Sequence, residues 1–411
     1  MSAVLMAAVT IPAAAQLSPA RLNLKPGEQY RLRIRGLVVR WTTDNPAAAH
    51  VDEKGIVYAR GSAFGGSAVI TAELVNGRRA HTQVIVEPYL ALVDRWYLRV
   101  KTAADVDRLR NQLIETIWKE EGMSTSRMPD LIEPAGDSRL PVSGAALMER
   151  LTVQMEHGVT STSYLFSPEK PNGKLLIYCD GHSGPLENGF PAGFLPQAGY
   201  FVERGYTVLV VSMPLYGTNR TPILSLYGGP KVRLTHHDQL WQLESETLSP
   251  LKFFFEPILR CINYLEQERQ LSPVGLYGHS GGGWMTVVYA AIDQRIQRSF
   301  SAAGSYPLTF RPEGLGDYEQ FAPEIFNFLD YTDLYVMGAY PAGRVQVNIY
   351  TWKDPCCMKA GEAYRWEPEV KAVLAEIGGG RHDNCVDTST QQHELTPAAM
   401  SWIYAELERA D

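Results

Sequence analysis

The pattern of apolar and polar positions divides the chain into distinct textures. Over 16–88, YRLRIRG and HTQVIVE alternate apolar with polar residues, as strands with one buried face do. AVITAEL predicts another strand, and Asn76-Gly77 behind it a hairpin turn. Turn residues recur at short intervals: Pro26-Gly27, Asn45-Pro46, Gly55 and Gly65-Gly66. Short strands punctuated in this way predict a small all-β sandwich. Over 89–144 the pattern is that of a helical extension. Thr102 with Asp105 makes a capping box, and Val106, Leu109, Leu113 and Ile117 share one helical face. The stretch 128–141, with Pro, Ser and Asp, reads as a loop. From 145 onward, RLTVQM and TSTSYLF read as a strand pair. KLLIYC, TVLVVSM, VGLY and VQVNIY are apolar without alternation, which marks strands buried on both faces. LKFFFEPILRCINYLEQE precedes VGLY and GGWMTVVYAAID follows it, both with helical patterns. Strands and helices in alternation predict an α/β fold over 145–411, a mostly parallel sheet covered by helices.

Composition narrows the function. With 411 residues, more than one domain is expected, and 45% hydrophobic content supports a proper core. A formal net charge of -7 gives no reason to expect nucleic acid as a partner. No apolar run is long enough to span a bilayer. The opening MSAVLMAAVTIPAAAQ resembles the end of a secretory signal, with an apolar stretch and small residues at Ala13-Ala14-Ala15 but no basic segment before it. Residues 1–15 are therefore expected to be a signal remnant, which implies a secreted, periplasmic or cell-surface protein. Five cysteines are compatible with export. Nothing in the sequence fixes the oligomeric state.

The chemistry concentrates around LSPVGLYGHSGGGWMTVVYAAID. Gly278-His279-Ser280-Gly281-Gly282 fits G-x-S-x-G between a strand and a helix, the setting of a nucleophile elbow. The turn is so sharp that larger residues at 278 and 282 would collide with strand and helix. Ser280 is the expected nucleophile. A donor pair for an oxyanion is expected from the backbone N–H groups of Gly281 and of His182, in the DGHSG loop after an earlier strand. An acid and then a base should follow in the chain. Asp354, in TWKDPCCM just beyond a late strand, is the expected acid; Asp317, Asp330 and Asp333 compete but lie in a segment that reads as an insertion. His393 precedes a helix capped by Thr396 with Pro397 in its first turn, so it is favoured as base over His382, which reads as a surface or strand residue. His236-His237-Asp238 does not predict a metal, because adjacent histidines project differently and no further ligand cluster is evident. GGGW lacks the Lys-Ser/Thr of a phosphate loop.

Two resemblances follow from these residues. Over 145–411 the chain resembles the α/β-hydrolases of the serine esterase kind, near the dienelactone hydrolase and acetyl xylan esterase branches, which also carry a Gly-His loop. The resemblance implies a carboxylesterase-type activity and no cofactor; the order Ser280, Asp354, His393 itself implies a Ser-His-Asp triad and an acyl-enzyme, and no metal is expected. The expected substrate is a carboxylic ester, with polymer-linked esters such as acylated polysaccharide or polyester among the candidates. Two long segments set the chain apart: GSYPLTFRPEGLGDYEQFAPEIFNFLDYTDLYVMGAYPAGR, an insertion at about 306–344 expected to cover the site as a cap, and YGTNRTPILSLYGGPKVRLTHHDQLWQ. Tyr306 and Glu319 are candidate substrate contacts, with aromatic packing and anchoring of the cap (with Asp317) as their competing roles. The marks Pro26-Gly27, Trp41, Asn45-Pro46, Val51-Asp52 and Gly55 make 16–88 similar to bacterial Ig-like domains, which implies an accessory role. A serine peptidase of the prolyl-oligopeptidase type and a non-catalytic surface binding protein are the alternatives. A disulfide is expected between Cys385 and either Cys356 or Cys357, with Cys179 and Cys261 as buried apolar residues.

Overall fold

The computed structural model describes residues 17–409 except 26, 35, 47, 60–65, 88–97, 137–139, 185–192, 226–230, 312–316 and 359. The signal-like stretch 1–15 and the expected boundary at 88–89 fall outside the described residues.

The N-terminal region is all β. One sheet has the order β1 (Arg21–Leu24), β7 (Arg79–Val86), β6 (Gly66–Leu74), β3 (Val38–Thr43). The other has the order β2 (Gln29–Arg31), β5 (Ile56–Ala59), β4 (Ala49–Val51). The alternation read from the sequence appears as burial: every second residue of β6 and β7 is buried. Ala68, Ile70, Ala72, Ala80, Val84 and Val86 among them join a separate core with Trp41 and Val57. The region rests on the rest of the chain through His50, whose Nε2 lies 3.1 Å from the Glu244 carbonyl, and through a 2.5 Å ion pair of Lys54 with Glu246.

Helix α1 (Ala103–Trp118) carries the Thr102/Asp105 capping box and buries Val106, Leu109, Leu113 and Ile117. The segment 128–141 is not loop throughout. Its residues Leu131–Pro134 form β8, an edge strand antiparallel to β9 (Ala145–Gln154). A four-residue strand that is largely exposed and ends in proline leaves no burial pattern for the sequence to show.

The remaining strands are β10 (Thr160–Pro168), β11 (Leu175–Asp180), β12 (Thr207–Ser212), the small hairpin β13 (Ile223–Ser225) and β14 (Lys231–Arg233), then β15 (Pro273–His279), β16 (Arg298–Ala302), β17 (Val345–Thr351) and β18 (Arg381–Asp387). The large sheet runs β18-β17-β16-β15-β11-β12-β10-β9-β8. From β12 to β18 all neighbours are parallel, whereas β10, β9 and β8 are added antiparallel. Helices cover both faces: α2 (Leu195–Val202) and α8 (Pro397–Leu407) one, and α3 (Lys252–Arg269), α4 (Gly281–Ile292), α6 (Tyr331–Gly338) and α7 (Glu367–Ile377) the other, with the short α5 (Pro323–Phe326). The central strands divide their side chains accordingly. In β11, Leu175, Ile177 and Cys179 face α3 and α4, while Leu176 and Tyr178 face α2 and α8. Both sides are therefore apolar, and the strands read as continuous runs.

The described part of 306–344 belongs largely to the main core. Ile325, Phe326, Leu329, Tyr331, Leu334 and Tyr335 are all buried in the main core, and α6 packs on α4. This helix is the crossover that parallel β16 and β17 require. Its aromatic richness reflects core packing.

Candidate active site

Strand order reverses at β11. The chain moves outward from it to β12 on one side and resumes with β15 on the other. The loops leaving the carboxyl ends of β11 and β15 therefore diverge and open a crevice, where ligands bind in sheets of this kind. Ser280 stands at the end of β15, at φ 57° and ψ −126°, between the strand and α4. A non-glycine residue in that conformation is strained and persists only where its surroundings enforce it. Here the Ser280 amide donates to the Ala302 carbonyl at 2.9 Å, tying the turn to β16. The flanking glycines are steric necessities. A Cβ on Gly278 would lie 2.3 Å from the Gly282 carbonyl oxygen, and one on Gly282 would lie 1.9 Å from that of Cys179.

The loop after β11 presses against this elbow. A Cβ on Gly181 would stand 3.3 Å from the Gly281 nitrogen, and one on Gly281 would meet the His182 ring at 2.8 Å. The crevice thus has the Gly281 amide on one wall and the His182 segment on the other. Asp180 ends β11 beneath the loop, is buried, and accepts a 2.8 Å hydrogen bond from Ser183 Oγ. Burial pushes its carboxyl up to about 7, against the opposing pull of hydrogen bonds from Ser183, Ser212 and the Gly181 amide. Because the folded form holds this proton more tightly than the unfolded chain, its contribution to stability is full below about pH 4 and is lost as pH rises through about 7. Asp180→Asn should remove that dependence. The stability difference between wild type and variant is expected to drift with pH over this range by at most about 4 kcal/mol, as read from thermal unfolding at each pH.

On the other side of Ser280, Asp354 follows β17 and His393 precedes α8. His393 Nδ1 donates to Asp354 Oδ2 at 2.7 Å, and Asp354 is fully buried. The other oxygen, Oδ1, accepts from the amides of Cys356 (2.8 Å) and Cys357 (3.2 Å). Burial acts to raise this carboxyl's pKa, but the His393 hydrogen bond and the two amides outweigh it and hold the group below its ordinary value. With Nδ1 committed, His393 Nε2 is the nitrogen available for proton transfer. It is buried and has no hydrogen-bond partner among the described residues. The His393 ring lies against that of His279, the residue before Ser280, at a centroid distance of 4.5 Å. His279 is half-buried, and desolvation together with the nearby His393 lowers its pKa to about 3 and keeps it neutral.

The competing residues have other partners. His382 lies in β18, not at the surface: it is buried, stacks on Tyr335 at 5.1 Å, and its Nδ1 is 2.5 Å from Gln346 Oε1. Asp330 and Asp333 form the capping box of α6. Tyr306 is 3% exposed and packs edge-on against Tyr350 and Trp366. Glu319 is fully buried, near His237. The expected bridge from Cys385 is not formed. Cys356 pairs with its neighbour Cys357, and Cys385 is a free thiol. The register explains this: Cys385 sits opposite Ile349, two rungs inside the sheet, whereas Cys356 and Cys357 lie beyond the end of β17 at Thr351. Around His236-His237 the sequence showed no further ligand cluster, but the fold supplies one. His237 meets His182 and Asp317, which lie far from it in sequence. His182, His237, Asp317 and Glu319 lie close enough together to share a metal ion, as do His236, His237 and Asp238. Among the described residues, no helix is long and apolar enough to cross a membrane.

No family model matches the chain, and no curated protein matches its sequence. Among solved structures, a methylesterase superposes with a TM-score of 0.50 at 14% identity, over 79% of this chain and 70% of its own. The fold is that of the α/β-hydrolases. An acetyl xylan esterase from a Thermoanaerobacterium species gives a TM-score of 0.48 at 17% identity, covering 76% of this chain and 97% of its own. Another from a Paenibacillus species gives 0.46 at 16%, covering 74% and 92%. In the α/β-hydrolase arrangement, the elbow after β15 and the loops after β11, β17 and β18 share the carboxyl edge of the sheet, which is where the residues described above lie.

Proposed function

We propose that this chain hydrolyses carboxylic esters with Ser280 as nucleophile, His393 as general base and Asp354 as its orienting acid. The observation that supports this most is the Asp354–His393 hydrogen bond, 39 residues apart in sequence, beside a strained serine elbow. His393 Nε2 would take the Ser280 Oγ proton as the oxygen attacks the acyl carbon. Asp354 would keep the proton on Nδ1 and stabilise the imidazolium. The backbone N–H groups of His182 and Gly281 would receive the developing oxyanion, at about 3 kcal/mol of barrier for each donor. The protonated His393 would release the alcohol, and water, deprotonated by the same nitrogen, would free the acid from Ser280. Turnover of p-nitrophenyl esters, acetylated xylan, polyesters and peptide amides tests this reading. Ester cleavage with labelling of Ser280 by a fluorophosphonate is expected. Labelling with amide cleavage alone would favour a peptidase.

The N-terminal all-β region would serve polymeric substrates or attachment. It has a core separate from the large sheet. Removing 1–87 should leave small-ester turnover within about threefold, as expected for a unit that folds on its own. Loss of turnover in a truncated protein with intact near-UV circular dichroism would show that its contact with 237–246 shapes the site.

A further inference from the structure

Three segments distant in sequence converge beside the elbow: His182 in the loop after β11, His237 at the start of a 3-10 turn (His237–Leu243), and Asp317 before a second one (Tyr318–Phe321). The two histidine Nε2 atoms lie 2.8 Å apart. Asp317 Oδ2 is 3.0 Å from His182 Nε2, and Oδ1 is 3.7 Å from His237 Nε2. Donor atoms bound to one divalent ion at about 2.0–2.2 Å stand roughly 2.9–3.5 Å from each other, depending on geometry. The observed spacings bracket that range.

Glu319 supplies an independent observation. It is fully buried, and neither carboxylate oxygen has a hydrogen-bond partner among the other described residues. Its Oε1 is 3.6 Å from Nδ1 of His237, a nitrogen that is also buried and without a hydrogen-bond partner among the described residues. An unpaired buried carboxylate costs several kcal/mol. Both deficits are relieved together if His237 Nδ1–H turns onto Glu319. That fixes the His237 lone pair on Nε2, aimed at His182 and Asp317. A carboxylate behind a ligating histidine is the usual support of such a ligand. A divalent cation at the convergence of the Nε2 atoms would also offset the charge of two neighbouring carboxylates.

We propose that His182 Nε2, His237 Nε2 and Asp317 bind one divalent first-row transition metal, with Glu319 positioning His237. Two imidazoles and a carboxylate form a donor set that suits Zn2+, as well as Fe2+ and other first-row ions. The ion would clamp the loop after β11 to the 317–321 segment and hold the His182 backbone against Gly281, a positioning role.

The test uses the full chain, stripped with chelator and titrated with Zn2+ in a calorimeter and with Co2+ in a spectrophotometer. One equivalent of each should bind, Co2+ should develop visible ligand-field bands, and Zn2+ should raise the melting temperature. His237→Ala and Asp317→Asn should weaken binding at least about 100-fold, and Glu319→Gln about 10- to 100-fold. Ser280→Ala should bind metal like wild type, so the outcome is independent of ester hydrolysis. Absence of saturable binding in folded protein would overturn the proposal. So would one-equivalent binding that survives Asp317→Asn, which would place the ion elsewhere. Should His237→Ala fail to fold, Asp317→Asn decides, since that side chain is 28% exposed and tolerates an isosteric amide.

Discussion

Ser280→Ala is expected to abolish ester turnover, by about five to six orders of magnitude, while the protein stays folded. The loss is large because every covalent step would pass through Oγ, and a methyl group cannot form the acyl-enzyme. The fold should survive because alanine asks less of the elbow's surroundings than it removes. The glycines at 278 and 282 create the room, and the Ser280 amide bond to Ala302 does not involve the side chain. A fluorophosphonate should label wild type and spare the variant, with mass spectrometry placing the adduct on Ser280. Full activity in a folded Ser280→Ala protein would end the serine-hydrolase reading.

The second large effect separates two histidines. His393→Ala should cost about 10⁴-fold or more in kcat with little change in melting temperature, because the side chain is partly exposed and its proposed work is proton transfer. Asp354→Asn should cost roughly 10⁴-fold, since the amide would favour the wrong tautomer of His393. His382→Ala should do the reverse. It removes a fully buried ring stacked on Tyr335 and bonded to Gln346, so stability falls by roughly 1–3 kcal/mol while kcat in folded protein stays within about tenfold. Measuring kcat and melting temperature for all three variants decides the assignment. A dead but stable His382→Ala beside an active His393→Ala would reverse it.

The sequence by itself determined what local rules govern. Unbroken apolar runs reported strands buried on both faces, and their alternation with helical patterns reported the α/β class. Gly278, Ser280 and Gly282 could be assigned an elbow because the steric demand that selects them lies within five residues. The Thr102/Asp105 box was legible for the same reason. Where burial pattern was weak, as at β8, or where aromatic content had two explanations, as in α6, the local signal failed.

Only the tertiary structure decided which distant residues meet. Asp354 and His393 stand together because β17 and β18 are parallel neighbours whose loops emerge at one edge. Cys385 misses Cys356 and Cys357 because of the same register: two rungs along a strand move a side chain well out of bonding distance. His182, His237, Asp317 and Glu319 carry no shared motif, His182 and Glu319 being 137 residues apart. Their convergence is set by how three loops pack around the end of β11, a long-range packing outcome to which no local spacing corresponds.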